Sequence, residues 1–379
     1  MGPGVVDFAV VGAGIAGASL AWRLALHGEV VVIERESQPG YHTTGRSAAM
    51  FMPSYGTAQV RALTRACRAF YAAPPADFAS VPLLSPRGVM YVGWDHQREL
   101  LDATLRELAE SDPSVERIDA GAALSRVSVL RRSGLWGAIV EPDACDIDVD
   151  ALLQGYLRGM RRRGGTLLTD AALLAATRGG GVWTLRLAGD RVVHARWLVN
   201  AAGAWADAVA TLAGAAPFGL QPKRRSAFTF DAPAGVDTRD WPAVVGIDES
   251  WYFKPEAGGL LLGSPANADA VSAHDVVAEE IDVATGIARI EQATTMTIRR
   301  PRRTWAGLRT FARDGDLVIG ADPKCEGLFW LAGQGGYGIQ SAHAAAALAV
   351  SQLLGAPLLE ELESEGVRAE ASAPARLAA

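Results

Sequence analysis

Apolar residues run unbroken from 8 to 11, as expected for a strand buried on both faces of a parallel sheet. Three glycines follow within positions 12–17. An Ala- and Leu-rich stretch at 16–26 then predicts a helix, ended by His27-Gly28. Residues 30–33 are a second apolar run, with Glu34 at its carboxyl end. Residues 7–34 thus form one βαβ unit. Further along, the pattern predicts helices over 58–71 and 150–163. Strands are expected at 91–94, 137–140 and 197–200, and a hairpin over 182–193 turns at Gly189-Asp190. From 217 to about 299 the style changes. Short β-like runs at 226–230, 251–254 and 260–262 alternate with Pro and Gly turns, and only 276–292 reads as helical. Strands at 317–319 and 329–332, a glycine-rich turn and an alanine-rich helix over 339–354 then return to the opening style.

This alternation implies an α/β protein, a Rossmann-like nucleotide-binding domain with an inserted, mostly antiparallel β domain. The nucleotide-binding part is discontinuous, spanning 1–75, 147–215 and 300–379. The inserted part spans 76–146 and 216–299. No internal repeat is evident. A length of 379 residues suits two domains, and 49% hydrophobic with 21% charged residues supplies ample core.

Composition also excludes some partners. A formal net charge of -6 argues against nucleic acid and anionic membranes. The run 342–354 is too short and too polar for a membrane span. No basic segment precedes the first strand, so a signal peptide is not expected and the protein reads as cytoplasmic. Cys67, Cys145 and Cys325 are sparse and unpaired in spacing, which indicates free thiols rather than a metal site. No zinc pattern, serine-hydrolase elbow or P-loop is present.

Gly12-Ala13-Gly14-Ile15-Ala16-Gly17 is a GxGxxG motif in its required context, after a strand and at the start of a helix. Glu34 lies 22 positions beyond Gly12, close to the roughly 20 expected of a ribose-binding carboxylate. Gly12 permits the turn, Gly14 lets backbone approach a pyrophosphate, and Gly17 lets helix and strand pack closely. The helix N-terminus, with Ile15 and Ala16, is expected to offer N–H groups and a partial positive charge to the phosphates. The motif alone does not separate FAD from NAD. Two further segments favour FAD: Asn200-Ala201-Ala202-Gly203 after a strand, and Gly333-Gln334-Gly335-Gly336-Tyr337-Gly338 before the last helix. A late helix N-terminus suits a cofactor whose far end gains negative charge on reduction.

Together with the opening unit, the segments 41–49, 199–205, 305–309 (Trp-Ala-Gly-Leu-Arg) and 334–340 resemble the D-amino-acid oxidase family of FAD-dependent oxidoreductases. Within it they are similar to D-arginine dehydrogenase. The resemblance covers nearly the whole chain. It implies cofactor contacts at Arg35, Thr44, Arg46, Ser47, Ala48, Ala49, Ala201, Ala202, Gly203, Trp205, Gly335, Gly336, Tyr337, Gly338, Ile339 and Gln340. Some sarcosine-oxidase relatives attach flavin through a cysteine shortly after the Leu-Arg pair. Residues 310–315 contain none, so non-covalent FAD is expected.

The resemblance further implies that Arg309 and Arg225 clamp a substrate carboxylate, for which the planar guanidinium fork is well suited. Arg224 and Arg225 should face opposite sides of a strand, and the alignment leaves open which one faces substrate. Tyr55 and Tyr252 match pocket and gate residues, and Gly336 and Gln340 match positions near the substrate amine. Where D-arginine dehydrogenase has a guanidinium-binding glutamate this chain has Val89, and Met50 and Met52 replace a histidine and a threonine. The expected activity is oxidative deamination of a D-amino acid. Apolar side chains are expected to be preferred over D-arginine, unless another acid such as Glu249 reaches the pocket. Oxidation of glycine, sarcosine or another secondary amine is one alternative, and a flavin-binding electron-transfer subunit is another. The acceptor could be oxygen or a quinone-like molecule. No histidine is assigned a catalytic role, and His42 sits in the loop nearest the flavin.

Overall fold

The computed structural model describes residues 4–377. Its first sheet has eight strands. Val5–Val11 lies between Val30–Ile33 and Arg191–Asn200, parallel to both, and Val30–Ile33 pairs in parallel with Thr166–Leu168. The upper end of Arg191–Asn200 pairs in parallel with Leu328–Ala332. Its lower end continues antiparallel into Val182–Leu187 and Leu173–Gly179. The fully buried Val10, Val32 and Val199 explain why these runs are apolar throughout. The helices Ile15–Leu24, Val149–Arg162 and Gly338–Leu354 pack together on one face of this sheet.

The second sheet has nine strands and is antiparallel except where Val89–Trp94 runs parallel to Ala243–Gly246. Its order runs from Gln334–Gly335 through Arg303–Phe311, Gln221–Asp231, Leu260–Pro265, Trp251–Glu256, Ala243–Gly246, Val89–Trp94 and Leu135–Glu141 to Glu116–Asp119. The fold is therefore α/β with a Rossmann-like unit and a mostly antiparallel second layer. Arg303–Phe311, which lies beyond the expected boundary at 300, pairs within this second sheet. Local sequence style does not show that, because the strand returns from one layer to the other through a single register with residues 221–229.

Two helices differ in extent from the sequence pattern. The helix expected over 58–71 is two, Ala58–Ala66 and Arg68–Ala72, joined at Cys67. The Thr57 hydroxyl caps the first by accepting from Val60 N–H. The helix expected over 276–292 is Glu280–Ala293, and Val276 lies before it with its carbonyl accepting from Arg46. The helix Arg98–Ser111 was not foreseen. Asp190 at φ 55 makes the expected hairpin turn. Among the described residues, no helix is long and apolar enough to cross a membrane.

Candidate active site

Three adjoining cavities run from the carboxyl end of the first sheet to the second sheet. The first opens at the carboxyl end of Val30–Ile33, where its walls include Gly12, Glu34, Arg35, Ala202, Trp205 and Leu212. The Glu34 carboxylate accepts the N–H groups of Ala13, at 2.8 Å, and Glu36, at 3.0 Å, which holds it across the glycine turn. Arg35 lies over the Trp205 ring at 4.9 Å. His42 lines this cavity, with Nε2 2.9 Å from Glu36 Oε1 and its ring 4.5 Å from Trp205.

The glycines have separable roles. A Cβ on Gly12, which has φ +105, would stand 2.4 Å from the Ala201 carbonyl oxygen, and one on Gly17 would stand 1.9 Å from the Gly12 oxygen. Gly17 therefore serves helix–strand packing and does not line the cavities. Gly14 faces the open channel, and the Thr44 hydroxyl closes its far side by accepting the Ile15 N–H at 3.0 Å.

The second cavity shares Gly14, Thr43, Thr44, Ala201, Gly203 and Ala204 with the first. It continues past Ile15, Ala16, Arg46, Ser47 and Ala48 to Gly335, Gly336, Gly338 and Ile339 at the start of the last helix. No cysteine or histidine lines it. An elongated channel with a carboxylate at one end, glycine backbone along its middle and a helix start at the other fits FAD. The Arg46 guanidinium is bonded to protein groups. It pairs with Asp275 at 2.5 Å and donates to the carbonyls of Val276 and Ala306, so it ties the segment before Glu280–Ala293 over the cavities. Tyr337 stands outside the lining, its ring packed between Tyr55 and Phe311.

The third cavity shares Ser47, Ala48, Arg225, Tyr252, Arg309, Gly336 and Ile339 with the second. Ala49, Met50, Met52, Tyr55, Tyr91, Ala243, Val245, Glu249 and Gln340 complete it. Register explains the arginines. Lys223 opposes Arg309 and Arg225 opposes Gly307, so Arg225 and Arg309 are diagonal neighbours on one face, and Gly307 leaves room beside Arg225. Arg224 faces the other way, where it is buried against Asp282 at 2.8 Å and Glu279 at 2.6 Å. Of the two, Arg225 is the one that faces the cavity.

Neither cavity-facing guanidinium has a carboxylate partner among the described residues. Arg225 donates to Ser264 Oγ at 2.8 Å and sits 5.3 Å over the Tyr252 ring. Burial, reinforced by the charge of Arg309, pulls Arg225 down to about 10. It remains protonated at neutral pH and lacks a counter-ion.

Two expectations about this cavity need correction. Val89 does not line it. Its side chain is 0% exposed and closed into an apolar cluster with Ile139 and Ala144. Tyr91, two residues along on the same face, and Ala243, opposite Val89 in register, take the wall. Val89 was placed there by its match to the guanidinium-binding glutamate of D-arginine dehydrogenase, and a matched position gives the strand but not the depth along it. An acid does reach the cavity. Glu249, at φ 53 in the turn between Ala243–Gly246 and Trp251–Glu256, lines it. Surrounding protein raises the Glu249 carboxyl above its ordinary range, against the pull of Arg225 and Arg309, although the side chain still reaches solvent.

Gln340 lines the third cavity but its amide is committed to protein. Oε1 accepts the Met52 N–H at 3.2 Å and Nε2 donates to Thr64 Oγ1 at 3.0 Å. Sequence reasoning missed Tyr91 and Thr43. Tyr91 lay within the strand expected at 91–94, and its parity with Val89 was the available signal. Thr43 donates to the Leu308 carbonyl at 2.7 Å and fastens the channel wall to the arginine-bearing strand.

The chain matches the FAD dependent oxidoreductase family, DAO, over residues 7–352. It is 24% identical to the uncharacterized oxidoreductase YurR of Bacillus subtilis (strain 168) over 361 residues, 88% of this chain and 91% of YurR. Its fold is similar to L-proline dehydrogenase from P. horikoshii, with a TM-score of 0.83, 18% identity and coverage of 99% and 98% of the two chains. It is also similar to glycine oxidase from Geobacillus kaustophilus, with a TM-score of 0.81, 20% identity and coverage of 96% and 98%. With the channel and the family match in agreement, this chain belongs to the DAO family of FAD-dependent oxidoreductases.

Proposed function

We propose that this enzyme oxidises the amine of a small D-amino acid to an imino acid, which water hydrolyses to a 2-oxo acid and ammonia. The observation that carries the reading is the pair of guanidiniums, Arg225 and Arg309, facing one cavity with neither ion-paired to a carboxylate among the described residues. Two like charges held side by side raise the free energy of the empty site, and an α-carboxylate relieves it. FAD supplies a hydride acceptor for the carbon that bears the amine. Arg309 and Arg225 hold the carboxylate, Tyr252 carries the face of Arg225, and Tyr55 stands across the cavity at its wall. The channel opens directly into this cavity, so the residues that grip the carboxylate also set the distance from substrate to cofactor.

The side-chain wall combines apolar Met50, Met52, Ala243 and Val245 with Tyr91 and Glu249. The absence of an acid therefore no longer counts against D-arginine. We assign apolar and cationic side chains to this cavity and exclude dicarboxylic ones, since a second carboxylate would meet Glu249. The likeness to D-arginine dehydrogenase is consistent with that assignment, with Glu249 in place of a glutamate at 89. We further assign residues 1–75, 147–215 and 300–379 to FAD binding and 76–146 with 216–299 to substrate binding, with Arg303–Phe311 shared. FAD is held without a covalent bond, in keeping with a second cavity free of cysteine and histidine.

The test is anaerobic mixing of the yellow protein with D-leucine, D-arginine, D-glutamate, L-leucine, L-proline, glycine and sarcosine, followed by air or a quinone dye. D-leucine and D-arginine should bleach the flavin and D-glutamate should not. Bleaching by glycine or sarcosine alone would move the assignment to a secondary-amine or glycine oxidase. Bleaching by none would end the reading.

A further inference from the structure

Behind the Tyr55 wall lies a carboxyl group that this chemistry does not use. Glu141 ends the strand Leu135–Glu141 and is 0% exposed. Its Oε1 accepts the Ser54 N–H at 3.1 Å and its Oε2 accepts the Ser54 hydroxyl at 2.7 Å. A carboxyl group at that depth is costly, and it stands opposite Val89, where an apolar side chain would pack more cheaply. Both of its hydrogen bonds go to a single residue.

That residue lies between two that line the substrate cavity, Met52 and Tyr55. The loop around it is fixed at each step. Met52 N–H donates to Gln340, Ser54 is held by Glu141, and Tyr55 N–H returns to the Met52 carbonyl at 3.1 Å. Gly56 then leaves at φ +101, where a Cβ would meet Val60 Cγ1 at 2.7 Å. The Tyr55 ring ends 5.2 Å from that of Tyr337.

We infer that Glu141 is a positioning residue that, acting through Ser54, fixes Tyr55 at the substrate cavity. The inference rests on the carboxylate-gripping cavity proposed above. It carries a pH dependence. Burial pushes Glu141 up to about 7, against the two bonds from Ser54. Arg68, from the helix Arg68–Ala72, favours its charge, and Asp112, just after Arg98–Ser111, opposes it. Tyr91, from the neighbouring strand, presents its hydroxyl to Ser54 and is itself pushed up by burial and by Glu141. An ionised Glu141 accepts both Ser54 bonds with charge assistance. A neutral one must donate its own hydrogen and accepts only one of them. Tyr55 is therefore held more firmly above neutrality. Direct repulsion of the ligand is the smaller effect, because Arg309, Tyr252, Tyr55 and Glu249, in that order, are the groups that act on Arg225, and Glu141 is not among them.

The experiment uses the FAD-loaded enzyme with benzoate as the carboxylate probe. Binding is read from the shift of the flavin absorption bands over a series of pH values. For the unmodified chain, Kd should fall roughly fivefold as pH rises through about 7, the worth of one hydrogen bond. Glu141→Gln, Ser54→Ala and Tyr55→Phe should each give a flat profile at the weaker value, with cooperative thermal unfolding retained. A Glu141→Gln enzyme that keeps the step near 7, or that melts earlier while its Kd profile is unchanged, overturns the inference. Tight benzoate binding with no step in the unmodified chain also overturns it and leaves the cavity reading intact. Failure of benzoate to bind at any pH removes the cavity reading, and this inference with it.

Discussion

Replacing Arg309 by methionine separates a binding role from a structural one. Arg309 lies on Arg303–Phe311, is half-buried, and forms no ion pair among the described residues. Its loss removes a charged, two-pronged donor from a substrate carboxylate. Truncating one partner of a buried, hydrogen-bonded charge pair costs about 2–5 kcal/mol, or roughly 30- to 5,000-fold in kcat/KM. The unliganded protein should respond in the opposite direction. Arg309 is the largest charge depressing Arg225, so its removal relieves a like-charge contact and should leave thermal stability unchanged or higher. Arg309→Lys keeps the charge but not the planar fork and should fall between the two. The assays are steady-state kinetics with the best amino acid of the panel, anaerobic flavin reduction, and thermal unfolding without ligand. Turnover that survives Arg309→Met, or activity and melting temperature that decline together, would refute the carboxylate clamp.

Four further outcomes are expected. Gly336→Ala places a Cβ 2.9 Å from Arg309 Nη1, a flexible neighbour, so the fold should persist while kcat/KM drops about tenfold, checked by melting and kinetics together. Glu249→Gln should raise kcat/KM for D-glutamate and lower it for D-arginine, each by roughly tenfold, on the scale of one partly screened charge pair. Glu34→Ala leaves the Ala13 and Glu36 N–H groups without their acceptor and should weaken FAD binding about 10- to 100-fold, read from quenching of FAD fluorescence. Glu141 should also mark the pH dependence of stability. Its folded-state value of about 7 lies above the ordinary 4.5, so its stabilising protonation is complete below 4.5 and is lost as pH rises through 7. The loss is on the order of 3 kcal/mol, and the stability difference between Glu141→Gln and the unmodified chain should change by that amount between acid and alkaline denaturant titrations.

What the sequence by itself determined follows from local backbone rules. Continuous apolar runs mark strands buried on both faces, and a glycine triplet between a strand and a helix marks a phosphate turn. Glu34 falls at the strand end because the βαβ unit has a nearly constant length. Alternation placed Arg224 and Arg225 on opposite faces without saying which was which. The register between 221–229 and 303–311 decided that, together with the helix Glu280–Ala293, whose Asp282 takes Arg224. Parity likewise set Val89 and Tyr91 on one face, but only the stacking of neighbouring strands showed that Val89 is sealed and Tyr91 is not. Arg46 lines the channel, but its guanidinium is engaged by Asp275, 229 positions on. Glu249, in a turn with no periodicity, could be named from sequence only as an alternative acid, and Glu141, at a strand end, carried no local signal. Their roles come from residues brought together across two sheets, and the order of those strands is a property of the packed whole, not of any segment.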